Sequence, residues 1–130
     1  MTSVLLVDDE PQIRRIMRLA LEKGGFSVDT AENGEVALAK IRLAAPDVLI
    51  TDIEMPRMDG RALCAAVEKE FPSRSYPIFV LTSLTEREHR EWSAGIANLS
   101  FLEKPVSVRK LIARIDEYFG DETAVRKSIS

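Results

Sequence analysis

Two apolar runs of strand length each stop at acid, and this repeated step constrains the fold more than any other feature of the chain. Val4-Leu5-Leu6-Val7 runs straight into Asp8-Asp9-Glu10. Asp47-Val48-Leu49-Ile50-Thr51 runs into Asp52, and Pro56 and Gly60 punctuate the loop that follows. Strands that end this way set their carboxylates on one rim of a sheet. In open α/β sheets that rim is where ligands bind.

Between these runs the sequence alternates strand and helix. Pro11 suits a first helical turn, Ile13, Ile16, Met17 and Ala20 follow as an apolar stripe, and Gly24-Gly25 ends the helix. Residues 26–31 alternate as a strand exposed on one side, and a second helix starts near Asn33-Gly34 and stops before Pro46. A third helix spans Arg61 to Glu70, Ile78–Leu81 forms a fourth strand, and Thr85 to Glu88 reads as a capping box for a fourth helix. Leu99–Leu102 is a fifth strand, after which Ser107 caps a helix bearing Val108, Leu111, Ile112 and Ile115 on one face. Such alternation predicts a parallel sheet covered on both sides.

The remaining composition narrows the function classes. At 130 residues, with 45% hydrophobic and 30% charged, the chain reads as one globular domain over 1–120 with a polar tail over 121–130. A net charge of −3 offers no footprint for nucleic acid. Cys64 is the single cysteine, so no internal disulfide forms, and its apolar neighbours suggest a small buried hydrophobe. There is no basic-then-apolar leader and no run of membrane-spanning length, so the expected location is cytoplasmic.

Asp8-Asp9, Asp52 with Met55-Pro56-Arg57-Met58-Asp59-Gly60, Thr82-Ser83, and Phe101-Leu102-Glu103-Lys104-Pro105 occur in order at the ends of successive strands. Together, over residues 3 to 119, they resemble the receiver domain of two-component response regulators. The resemblance implies a flavodoxin-like (βα)5 doubly wound fold with strand order 2-1-3-4-5. It implies a signalling switch rather than an enzyme, with Asp52 as phosphoacceptor. A histidine kinase or histidine phosphotransfer protein would be the donor, and a downstream protein would read the surface of the fourth helix, fifth strand and fifth helix. Asp8, Asp9 and Asp52 repel one another unless a cation uses them, and hydrated carboxylates suit Mg²⁺. In the receiver pattern, Asp9, Asp52 and the backbone carbonyl of Glu54 bind the metal, with Asp8 acting through water. Lys104 and Thr82 would contact the phosphoryl oxygens, and Thr82 and Phe101 would form the switch. Taken singly, the acid pair also reads as a helix cap, Lys104 as a solvated lysine, Thr82 as a cap and Phe101 as core.

The fourth helix is almost wholly polar from Glu86 to Glu91, which predicts a loosely fixed element anchored by Trp92 and Ile96. His89, the single histidine, is expected to be solvated on that helix. The sequence departs from the receiver pattern at Ala97-Asn98, where Gly-Ala is usual, and at Ser83, where alanine is common. Leu84 offers no hydrogen bond to water, from which a long-lived phosphorylated state is expected. Two alternatives stand beside this reading. One is an Mg²⁺-dependent phosphohydrolase with an Asp nucleophile, which normally needs aspartate where Glu54 stands. The other is a receiver piece of a longer regulator with an output domain, whereas the residues from Gly120 on are too few for a helix-turn-helix.

Overall fold

Strand and helix alternate along the whole described chain, in the order β1 (Ser3–Val7), α1 (Pro11–Lys23), β2 (Ser27–Ala31), α2 (Gly34–Leu43), β3 (Val48–Asp52), α3 (Gly60–Glu70), β4 (Ile78–Thr82), α4 (Glu86–Ser93), β5 (Leu99–Glu103) and α5 (Val108–Tyr118). The structure is a computed structural model describing residues 1–83 and 86–119. Leu84, the expected cap at Thr85 and the segment from Gly120 onward lie outside the described residues. The five strands pair in parallel in the order β2-β1-β3-β4-β5, the expected flavodoxin-like topology.

The period of two in the strands divides the core into two layers. Leu5, Val7, Leu49, Ile78 and Val80 face one side, where Ala37, Leu38 and Ile41 of α2 and Leu63, Cys64 and Val67 of α3 cover them. Val4, Leu6, Val48, Ile50, Phe79 and Leu81 face the other, against Met17 and Leu21 of α1 and Leu111 and Ile115 of α5. Every residue of β3 and β4 is buried, as expected of central strands covered on both faces.

On α1 the expected stripe is displaced. The helix buries Met17 and Leu21, while Ile16 is 62% exposed and Ile13 39%. Ile13, Met17 and Leu21 lie along one i, i+4 row, so the inward face includes Leu21 in place of Ile16. No side chain caps this helix. Asp8 instead accepts the backbone N–H of Glu10 at 2.9 Å, which leaves the helix-cap reading of the acid pair without a cap to make.

Strands β3, β4 and β5 each run one residue past the apolar segment, to Asp52, Thr82 and Glu103. Hydrogen-bonded pairing continues where apolarity stops: Asp52 pairs with Leu81 and Thr82 with Glu103. The residues of interest therefore sit on a rigid ladder. The loop after β3 folds back tightly, with the Gly60 amide donating to the Ile53 carbonyl at 2.7 Å. A Cβ on Gly60 would collide with the Asp52 carbonyl and lie 2.9 Å from Ile53 Cα, so only glycine fits there.

The Ala97-Asn98 turn is accommodated. Asn98 adopts φ 58°, a left-handed conformation that asparagine tolerates, and its amide donates to the Tyr118 hydroxyl at 2.8 Å. Glu68 accepts the Ala97 N–H at 3.0 Å, and Arg74 donates to the Ala97 carbonyl.

Candidate functional site

The C-terminal ends of β1, β3, β4 and β5 meet at one rim because their register is nearly level. Val7 pairs with Thr51, so Asp8 and Asp52 follow at the same height. Thr82 lies one rung beyond Leu81, the partner of Asp52, and Lys104 follows Glu103, the partner of Thr82. The Lys104 amide donates to the Thr82 carbonyl at 2.7 Å, tying the last two strand ends together.

These ends enclose a cavity of about 590 Å³ whose wall includes Asp9, Asp52, Glu54, Thr82, Ser83 and Lys104. Asp52 is 6% exposed. Its Oδ1 accepts the Lys104 ammonium at 2.7 Å and the Ile53 N–H at 2.8 Å. No described donor reaches Oδ2, which leaves one oxygen of the carboxylate open for chemistry. The Lys104 side chain is 37% exposed, so it answers to solvent as well as to Asp52.

Asp8 is buried beside the cavity. Burial pushes its carboxyl above the ordinary range, opposed by the Glu10 N–H and by Lys104 and reinforced by the charges of Asp52 and Asp9. Asp8, Asp9 and Glu10 place carboxylate oxygens within 4.8 Å of one another. Oxygen donors so close together, next to Asp52 and a cavity lined by acids, fit a hard divalent cation such as Mg²⁺. Glu10 joins the acids named from sequence, by carboxylate rather than by position in a motif.

Phe101 is not among the residues lining the cavity and packs instead on His89 of α4, the residue that reaches Thr82. There the structure corrects two expectations. His89 is buried, 2% exposed, rather than solvated. Its Nε2 lies 2.8 Å from Thr82 Oγ1, and its Nδ1 accepts the Trp92 indole N–H at 2.9 Å. The imidazole stacks on Phe101 with centroids 4.9 Å apart and 14° between planes, while Trp92 meets both rings edge-on. α4 is thus anchored by His89 as well as Trp92, with Ile96 beyond its last turn packing on the same layer. The sequence did carry the signal: residues 89, 92 and 96 are spaced i, i+3, i+7.

Among the described residues no helix is long and apolar enough to cross a membrane. Over residues 4–116 the chain matches the response regulator receiver domain. It is similar to the transcriptional regulatory protein ResD of Bacillus subtilis, at 34% identity over 114 residues, covering 88% of this chain and 46% of that protein. The probable transcriptional regulator ycf27 of Pyropia yezoensis is 39% identical over 112 residues, covering 86% and 45%. The chain therefore spans about half the length of these curated relatives. Among solved structures, the chemotaxis protein CheY4 of Vibrio cholerae aligns with a TM-score of 0.82 at 33% identity, over 90% of this chain and 98% of that one. The response regulator TrrA of Thermotoga maritima, in complex with Mg(2+)-BeF, aligns with a TM-score of 0.78 at 31% identity, over 90% and 98%. With its topology, its acidic rim and this match along nearly the whole described chain, the protein belongs to the response regulator receiver domain family.

Proposed function

We propose that Asp52 is the phosphoacceptor of a signalling switch. It takes a phosphoryl group from the phosphohistidine of a histidine kinase or histidine phosphotransfer protein. The observation that carries this reading is the state of the Asp52 carboxylate. One oxygen is pinned by Lys104 and the Ile53 N–H, and the other, on the wall of an acid-rimmed cavity, has no donor among the described residues. That second oxygen attacks phosphorus in line. The phosphorus–nitrogen bond to the donor breaks, its electron pair returns to the imidazole nitrogen, and that nitrogen takes up a proton.

Asp9, Asp52 and the Glu54 carbonyl would hold Mg²⁺, with Asp8 joining through water. When bound, the metal supplies positive charge to the phosphoryl oxygens. Lys104 supplies a second positive charge on the opposite strand end, and Thr82 donates its hydroxyl. Both act where charge gathers in transfer, in a site already organised by the ladder. Phe101 and Thr82 then transmit the event to the surface of α4, β5 and α5, where a downstream protein binds.

Incubation with acetyl phosphate and Mg²⁺, followed by intact-mass measurement, tests this reading. The parent gains one phosphoryl group and Asp52→Asn gains none. Equal labelling of Asp52→Asn would place the acceptor elsewhere.

A further inference from the structure

The Thr82 hydroxyl is gripped from behind, and the grip has a direction. An indole N–H can only donate, so His89 Nδ1, 2.9 Å from Trp92 Nε1, must present its lone pair. A neutral imidazole then carries its single proton on Nε2, and that N–H donates to Thr82 Oγ1 at 2.8 Å. The Thr82 oxygen is thereby an acceptor toward α4, and its own hydroxyl hydrogen is turned away from the imidazole. Thr82 lines the cavity that holds Asp52 and Lys104.

We infer that His89 is a positioning residue of the phosphoryl site: a one-way chain of donors from Trp92 through His89 orients the Thr82 hydroxyl as a donor to phosphoryl oxygens on Asp52. The inference rests on the phosphoacceptor reading of Asp52. It adds a residue of this chain, outside the cavity, that decides how Thr82 uses its hydrogen.

The surroundings fix the ring for this task. Stacking on Phe101 and the edge contact with Trp92 hold its plane, and 2% exposure keeps water from competing for either nitrogen. Linked hydrogen bonds in such a dry setting strengthen one another. Among the described residues the charged groups acting on His89 are Arg61 of α3 and Glu88 of α4, and the contacts from β4 and β5, Thr82 and Phe101, are uncharged. Burial and the Arg61 charge, against Glu88, hold the imidazole below the ordinary histidine range, so it is neutral at pH 7. Protonation would set an Nδ1–H against the indole N–H. Two donors would face each other, and the chain would break at its first link.

Three measurements on the full chain test the inference. Because His89 is the single histidine, long-range ¹H–¹⁵N NMR reports its tautomer without ambiguity. A bare Nδ1 and a protonated Nε2 are expected at neutral pH, and the opposite tautomer overturns the inference. The second measurement is affinity for beryllofluoride with Mg²⁺, read by ¹⁹F NMR. His89→Phe keeps the ring packing and removes both hydrogen bonds, and it should weaken binding roughly five- to tenfold. His89→Gln can donate to Thr82 and accept from Trp92, and it should restore affinity to within about twofold of the parent. Unchanged or tighter binding by His89→Phe would make His89 a restraint on Thr82 or mere packing.

The third is the parent's affinity relative to His89→Gln as pH falls through and below the ordinary histidine value of about 6.5. The ratio should decline, because only the parent loses its chain to protonation, and a flat ratio overturns the inference. Should His89→Phe fail to fold, the tautomer and this ratio still decide. Asp52→Asn separates the two readings. If the parent does not bind the probe, or binds it no better than Asp52→Asn, the phosphoacceptor reading fails. If the parent binds and Asp52→Asn does not, while His89→Phe equals the parent, only the positioning role fails.

Discussion

Asp8→Asn should stabilise the metal-free protein, and the gain should fade as pH falls. Asp8 is 3% exposed, and its carboxylate shares a 4.8 Å cluster with those of Asp9 and Glu10. Two unit charges at that spacing repel by about 1 kcal/mol in water and by about 3.5 kcal/mol at an effective dielectric constant of 20. Asp9 is only half-buried and Glu10 is exposed, so the effective repulsion lies toward the lower figure. Asparagine keeps an oxygen to accept the Glu10 N–H, so the substitution removes charge without orphaning a donor. A net gain of roughly 1–2 kcal/mol at neutral pH follows, worth several degrees in Tm for a domain of this size.

The direction with pH follows from linkage. The folded-state pKa of Asp8 is raised above its unfolded value, so the folded protein binds this proton more tightly. Ionised Asp8 therefore costs stability above its folded pKa. That cost is relieved as pH falls through the folded value toward 3.8. The difference between Asp8→Asn and parent should be largest at neutral pH and shrink through the acid range. Urea unfolding with a chelator present, from neutral to about pH 4, measures it. With millimolar Mg²⁺ the parent should gain stability by mass action and Asp8→Asn should gain less. A variant less stable than the parent at neutral pH, or a difference that grows on acidification, would refute the reasoning.

Lys104→Met should slow labelling by acetyl phosphate roughly a hundredfold, the usual loss when one preorganised charge donor is removed from a transfer site. It should also lower stability at neutral pH, because among the described donors Asp52 would keep only the Ile53 N–H. Stopped-flow labelling and urea unfolding separate the two effects. Cys64 is fully buried and its thiol is pushed up to about 12, so native protein should resist alkylation at neutral pH. Reaction should track global unfolding across a urea series, and rapid labelling without denaturant would show a local opening of α3 instead.

The sheet was legible because each buried strand is a short apolar run between breakers, and the functional rim because acids or a lysine follow those runs. What the sequence hid was hidden for physical reasons. Hydrophobicity ends at Thr51, Leu81 and Leu102, yet ladder pairing carries Asp52, Thr82 and Glu103 one residue further, which a hydropathy reading does not see. Ile16 looks like core by type, but Leu21 continues the inward row and Ile16 faces outward. Asn98 looked like a poor substitute in a tight turn until its left-handed φ and its bond to Tyr118 gave it a reason. His89 was the largest miss. A polar residue inside a polar run reads as solvated, and only its spacing from Trp92 and Ile96 placed it on the buried face.

That miss changes what α4 can do. An all-polar helix with a single aromatic anchor would sample many positions with little tied to the site. α4 is instead fastened at His89, and His89 is bonded to the same Thr82 that faces Asp52. The rim is electrostatically unsettled, with the carboxylates of Asp8, Asp9 and Glu10 clustered together and Asp52 paired to the Lys104 ammonium. The back of Thr82 is settled, packed among aromatic rings with both imidazole nitrogens bonded. The Thr82 hydroxyl therefore answers to both sides at once, to charge in the cavity and to the imidazole behind it. If Thr82 shifts with charge at the rim, as the proposed switch requires, the shift would reach His89 first and Trp92 and Phe101 next, because a close-packed aromatic cluster offers few intermediate arrangements. Coupling of this kind needs no long pathway. It needs one side chain that belongs to both the charged cavity and the packed layer, and Thr82 is that side chain.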